Sequence, residues 1–310
     1  MWELDKHQKS VLSDEWGVGV ALEWLTNVFQ YLEICHGDAA VRELRRRKLL
    51  KGYPTRKRIG PNKCPDFVAV DAQRKLHIIE CKGTTKGRST IKQAFKTAYE
   101  QKHAIRFKND NAFVSQRLSV GLAVATNRRA KGTTLYVEDP EERLPRSEGG
   151  YVISDDAEPR QIEEAIFTSM LIEYSALAGA FDVLAAASSV YEDFDIGTVL
   201  AGRELPTDMI KFEVGDTDWI GQRFEALSPV ALNPNHRRSK ITIRSAMSAR
   251  LRDSLLAHRV WREPEHLTTG MLERGLTPQK KETSDESALH CSIQFGDAFI
   301  SDLSITDLRG

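Results

Sequence analysis

Two short apolar runs, Phe67-Val68-Ala69-Val70 and Leu76-His77-Ile78-Ile79, stand on either side of the polar stretch Asp71 to Lys75. Both are rich in β-branched residues, and the link between them is far too short for a parallel crossover. They therefore predict an antiparallel hairpin. With its turn centred on Gln73, Val68 faces Ile78 and Asp66 faces Glu80. Side chains alternate along a strand, so Glu80 and Lys82 share a face, and opposed residues have Cβ atoms about 4.5–5.5 Å apart. Pro65-Asp66 and Glu80-Cys81-Lys82 thus bring two carboxylates and an amine together at one end of the hairpin.

The flanking segments predict layers around this hairpin. Ala21, Leu25, Val28 and Leu32 recur at helical spacing, which predicts a helix over 14–34 with Ser13, Asp14 and Glu15 at its start. Arg42 to Lys51 suits a second short helix, and Tyr53 to Lys63 a basic loop or edge strand. Thr90 to Lys102 reads as a helix after the loop Gly83 to Ser89, and Val120 to Thr126 as a buried strand, with another over Thr133 to Val137. That order is an α/β architecture over residues 1–138. An acidic Pro/Gly-rich segment, 139–160, is the expected linker. A C-terminal α+β domain, 161–310, follows: one long or two short helices over 163–191, strands over 209–233, a basic patch from His236 to Arg262 that ends in a helix, a polar loop over 275–287 and a terminal hairpin around Gly296.

Composition narrows the class. With 41% hydrophobic and 28% charged residues over 310 positions, the chain has the makings of a globular core, not of a disordered or fibrous protein. Cys35, Cys64, Cys81 and Cys291 form no CxxC pair, which argues against a disulfide framework or structural zinc and for a reducing compartment. The N-terminal segment lacks the apolar centre of a signal peptide, and Glu173 and Asp182 interrupt the longest apolar stretch, so no membrane span and a cytoplasmic location are expected. The net charge of zero conceals an imbalance. Residues 1–130 carry 25 Lys and Arg against 13 Asp and Glu; residues 131–310 carry 19 against 31. A basic half points to a polyanionic partner, and it equally suits solvated helix faces.

Two close carboxylates repel unless a cation lies between them or one is protonated. Mg²⁺ takes hard oxygen ligands, commonly one or two carboxylates, and can activate water and polarise a phosphoryl oxygen. A lysine beside such a pair can stabilise negative charge that develops on phosphorus. Pro-Asp, an apolar hairpin and Glu-Xaa-Lys in this order resemble the PD-(D/E)XK nuclease superfamily over roughly residues 10–138.

The resemblance implies a restriction-endonuclease-like mixed sheet flanked by helices. It implies Asp66 and Glu80 as metal-binding acids, Lys82 as the catalytic lysine and the backbone carbonyl of Cys81 as a further ligand. It also suggests Gln93 on the following helix as a polar site residue, and Glu15 or Glu23 as an acid on the first helix. Mg²⁺ is the implied cofactor, with Mn²⁺ able to substitute. DNA is the implied substrate, RNA remaining open, and bacterial or phage-related defence is the implied setting. The spacing of Gln93 and Tyr99 does not match one well-known branch. Lys86, Arg88, Arg237, Arg238 and Lys240 are candidate nucleic-acid contacts, or ordinary surface cations.

A nuclease-fold binding module, or a subunit silent until a partner binds, is the competing reading; a pure binder has no need of a repulsive acid pair. A protein partner or a homodimer, which would allow both strands to be cut, is open. Gly83 to Thr90 has the place of a P-loop but lacks its glycine spacing and lysine, so no nucleotide cofactor is expected.

Overall fold

In the computed structural model the described residues are 6–51, 64–106, 113–124, 132–138, 151–190, 209–228, 238–257, 261, 278–285, 288–295 and 298–308. The chain divides into two units, Met1–Met170 and Leu171–Gly310.

In the first unit, helix α1 (Lys6–Phe29) starts earlier and ends sooner than its periodicity predicts. Gln30 takes a positive φ of 52°, which stops the helix, and the chain turns into strand β1 (Glu33–His36) where helix was expected. Helix α2 (Gly37–Arg46) and the short strand β2 (Leu50–Lys51) follow. Strands β3 (Phe67–Val70) and β4 (Leu76–Thr84) form the expected hairpin in the expected register, Val68 opposite Ile78. Asp71 shapes its turn: the carboxylate accepts from the Gln73 and Lys75 amides, and Arg74 adopts φ 60°.

Helix α3 (Arg88–Lys102) leads through β5 (Ile105–Arg106) to β6 (Val114–Ala123), which lies parallel to β4. Strand β7 (Thr134–Glu138) closes a mixed five-stranded sheet, ordered β1-β3-β4-β6-β7. Ala21 and Leu25 of α1 pack with Phe67, Ile79, Cys81 and Val120 on one face of this sheet. Ile91 and Phe95 of α3 cover the other face, where they close on Gly121. Strand β4 is therefore paired on both edges and covered on both faces.

Strand β8 (Tyr151–Ile153) pairs with β2 and β5 in a small second sheet. Helix α4 (Pro159–Leu177) then begins, and Arg47 of the first unit reaches its Glu164 and Thr168. Residues 151–170 thus belong with the N-terminal unit, and the division falls later than the expected 139–160 segment, of which 139–150 lie outside the described residues.

The second unit adds helix α5 (Phe181–Val190), strands β9 (Met209–Val214), β10 (Thr217–Ser228) and β11 (Arg238–Ser248), helix α6 (Ala249–Leu256) and strands β12 (Pro278–Ser284), β13 (Ala288–Phe295) and β14 (Phe299–Leu308). The strands form one antiparallel sheet, ordered β12-β13-β14-β11-β10-β9. Residues 278–284, expected as loop, are an edge strand: pairing to β13 satisfies the backbone on one side, and a polar sequence suits an edge. Ser248 caps α6 by accepting from the Leu251 amide. Among the described residues no helix is long and apolar enough to cross a membrane.

One buried carboxyl group in the first unit makes stability depend on pH. Glu33 of β1 is 1% exposed, and neither carboxyl oxygen has a hydrogen-bond partner among the described residues. Burial pushes its pKa up to about 8, against the pull of Arg74. A carboxyl raised in the folded state holds its proton there at pH values where the unfolded chain has lost it. Stability is therefore lost as pH rises from the ordinary carboxylate range towards 8. Glu33→Gln should remove this slope. Between about pH 5 and about pH 8.5 the wild type should lose up to several kcal/mol relative to the variant in urea denaturation. Parallel pH profiles for the two proteins would refute it.

Candidate active site

The geometry of the hairpin's open end follows from its register. Asp66 directly precedes β3 and stands opposite Glu80, continuing the pairing of Phe67 with Ile79. The Asp66 amide donates to Glu80 Oε2 at 3.0 Å, and the Cys81 amide donates to Asp66 Oδ2 at 2.8 Å. Each acid is thus fixed by backbone of the opposite strand. Lys82, two residues on and on the face of Glu80, forms an ion pair with Glu80 and lies 3.9 Å from Asp66 Oδ2. The amine and both carboxylates that the sequence placed together are together.

Burial sets the electrostatics. Glu80 is 0% exposed, while Asp66 and Lys82 remain partly open to solvent. Burial first, and then the neighbouring Asp66 charge, push the Glu80 pKa up to about 8, with Lys82 pulling the other way. A carboxyl raised this far keeps its proton near neutral pH, and further positive charge at this point would favour its ionised form. Hard oxygen donors, one of them buried, fit a cation of the Mg²⁺ kind that completes its shell with water. Among the described residues no three His, Cys, Asp or Glu side chains gather as a metal-binding group.

Helix α1 supplies a neighbour that sequence reasoning passed over. A Cβ at Gly83 would lie 1.9 Å from the Ser13 carbonyl oxygen and 2.8 Å from Asp14 Cα, so only glycine admits the helix this close to β4. Partial burial raises the Asp14 pKa while Lys82 draws it down, which puts this carboxylate within electrostatic reach of the site. The sequence treats Asp14 as part of a helix start; it is an interior residue of α1, which spans Lys6–Phe29. The small residues Ser13 and Gly17, one turn apart and both turned to Gly83, were the available signal.

The remaining candidates are dispersed. Glu15 and Glu23 are exposed on α1. Gln93 is exposed on α3, about half a turn around the helix from both Ile91 and Phe95, the residues that face the sheet. The Cys81 thiol is buried in the core on the α1 side and its pKa is pushed up by burial, which leaves only its backbone for ligation. His77 points into that same core and bonds Asp71 at 2.8 Å, away from Glu80.

Lys86 is exposed, and Arg88 lies 5.8 Å from the Tyr136 ring centre. In the second unit Lys240 pairs with Glu225 at 2.9 Å and Arg238 is exposed; Arg237 lies outside the described residues. Part of the basic excess of the first half is internal: Arg46 and Arg47 both engage the buried Glu43, and Arg47 also engages Glu164.

Compared with protein-family models, with curated proteins and with solved structures, the chain matches none.

The repulsion between the acids has a direct test. Asp66→Asn keeps an oxygen for the Cys81 amide and removes one negative charge. In EDTA the variant should melt at or above the wild-type temperature. In about 10 mM Mg²⁺ the wild type should gain stability as expected for a ligand bound only by the folded state, and the variant should gain little. A Mg²⁺-induced shift of equal size in both proteins would remove Asp66 from the ion's ligands.

Proposed function

We propose that the first unit is a PD-(D/E)XK-like, Mg²⁺-dependent nuclease that hydrolyses DNA phosphodiester bonds. The observation that carries this reading is the placement of Asp66, Glu80 and Lys82 on two paired strands, each acid held by the other strand's backbone and the amine between them. A mixed sheet with α1 on one face and α3 on the other is consistent with a restriction-endonuclease-like fold.

Asp66 and Glu80 would hold the ion. When bound, the ion supplies Lewis-acid polarisation of the phosphoryl oxygen and acidifies water. Lys82 would then hydrogen-bond a non-bridging phosphate oxygen. Its charge stabilises the negative charge that builds as the water oxygen bonds to phosphorus and the bond to the leaving oxygen breaks. Asp14, within reach of Lys82, would help hold the ammonium in place. The side chains of the apolar runs keep water from the rear of the site and hold it on rigid strands. Lys86, Arg88, Arg238 and Lys240 are candidate phosphate contacts among the described residues, and the second unit would serve specificity, assembly or regulation. Cytoplasmic action in bacterial or phage-related defence is the setting this reading implies.

The acid pair, with Lys82 paired to Glu80, also suits a nuclease-fold subunit that binds nucleic acid or waits for a partner. Cleavage of plasmid DNA, with single-stranded DNA and RNA oligonucleotides alongside, decides between them. Cutting should need Mg²⁺ or Mn²⁺, stop in EDTA, and fall by at least about 100-fold in Lys82→Ala. Retention of nucleic acid without cutting under any metal would assign the binding role instead.

A further inference from the structure

The six-stranded sheet of the second unit has two unlike faces. Strand alternation and register put Phe224, Ile243, Leu303 and Cys291 in one row across β10, β11, β14 and β13. Ile241 and Ile305 stand in the next row of the same face. The opposite face carries Lys240 paired with Glu225 at 2.9 Å and Arg244 with Asp302 at 2.7 Å, beside the buried cluster of Trp219, Ala246 and Ile300 at one end. In an antiparallel sheet with one wet face, the polar face should meet water and the apolar face should be covered. Here part of the apolar face is open: Phe224 is 56% exposed and Ile243 39%, while Met247 and Phe299 towards one end of the same face are buried.

We propose that this apolar face is a self-association surface, and that its occupant is the same face of a second copy of the chain. The inference is independent of the nuclease reading. In a two-fold interface, residues near the axis meet their own copies, so a charge there would face a like charge. The middle of this face, around Ile243 and Leu303, carries none, and it is therefore compatible with itself. The edges carry both signs, Glu282 on β12 and Lys211 with Glu213 on β9, as the polar rim of an interface does. The chain's net charge of zero leaves no overall repulsion between copies.

A nucleic acid would require cations, and in the four central strands those lie on the other face. Six strands at about 4.8 Å and three rows of side chains span roughly 600 Å² per copy, the polar rim included, at the lower end of specific interfaces. Two such sheets stack about 10 Å apart with strands nearly aligned, as in a β-sandwich.

Sedimentation velocity on the full chain, from about 0.5 to about 100 µM, tests the proposal; an interface of this size should give a monomer–dimer equilibrium in the micromolar range. Phe224→Lys and Ile243→Lys should each raise the dissociation constant by at least about tenfold, the effect of about 1.4 kcal/mol. Leu227→Lys is the control: Leu227 is 63% exposed, but lies on the opposite face, and the variant should behave as wild type. Thermal melting establishes that each variant is folded, and Phe224→Ser, a milder change, should weaken the dimer in the same direction. A chain that stays monomeric to 100 µM overturns the proposal. So does a dimer indifferent to all three changes on the apolar face, or one weakened equally by Leu227→Lys. Flotation of a monomeric chain with neutral phosphatidylcholine vesicles would assign the face to lipid instead.

Discussion

Strand β4 carries the first unit's central constraint, a carboxylate buried at the heart of a sheet. Paired to β3 and β6 and covered by α1 and α3, the strand admits no water along most of its length. Glu80 sits in it with 0% exposure. An ionised group in such a place must be compensated locally or lose its charge, because the cost of removing it from water exceeds what ordinary packing returns. The Asp66 amide and the Lys82 ammonium supply part of that compensation, and the Asp66 carboxylate works against it. The raised pKa of Glu80 measures the deficit. A stable fold would avoid this arrangement; its presence on two rigid strands is what gives the site its chemical meaning.

The rest of the unit makes that arrangement rigid. The Asp71-held turn fixes the register of β3 on β4 and therefore which acid faces which. Gly83 lets α1 approach β4 at backbone distance, which closes the sheet's other face immediately beside Lys82. The same close approach carries Asp14 to the site. The second unit follows a different plan, a single antiparallel sheet with the ion pairs Lys240–Glu225 and Arg244–Asp302 and the buried Trp219, Ala246 and Ile300 on one face and Phe224, Ile241, Ile243, Leu303 and Ile305 on the other.

Local rules make the hairpin legible in the sequence. Two β-branched runs with a five-residue link containing Asp71 permit few pairings, and a one-residue slip would have moved every side chain to the wrong face. Helices α3, α4 and α5 and the strands over 209–228 are likewise local in origin. Helix α1 was legible in its middle and not at its ends, since its N-terminal turns lack a strong apolar stripe and its stop depends on Gln30 in a left-handed conformation. Strand β1 has no autonomous signal in Glu33-Ile34-Cys35-His36; its pairing with β3 creates it. Strand β12 is polar throughout, and only the neighbouring β13 makes it a strand.

The sequence by itself determined the composition of the candidate site: Asp66, Glu80 and Lys82 lie within one hairpin, where short-range alternation and a tight turn leave little freedom. Their electrostatic character was decided by the tertiary structure, because burial is a property of what packs around a strand. The same is true of Asp14, which joins the site across the Ser13–Gly83 approach, of Gln93, which α3 presents away from the sheet, and of Arg46 and Arg47, which Glu43 and Glu164 draw inward. Neighbours within a few residues are set by backbone geometry. Neighbours from distant segments are set by which surfaces can be removed from water together, and that is settled only when the whole chain has folded.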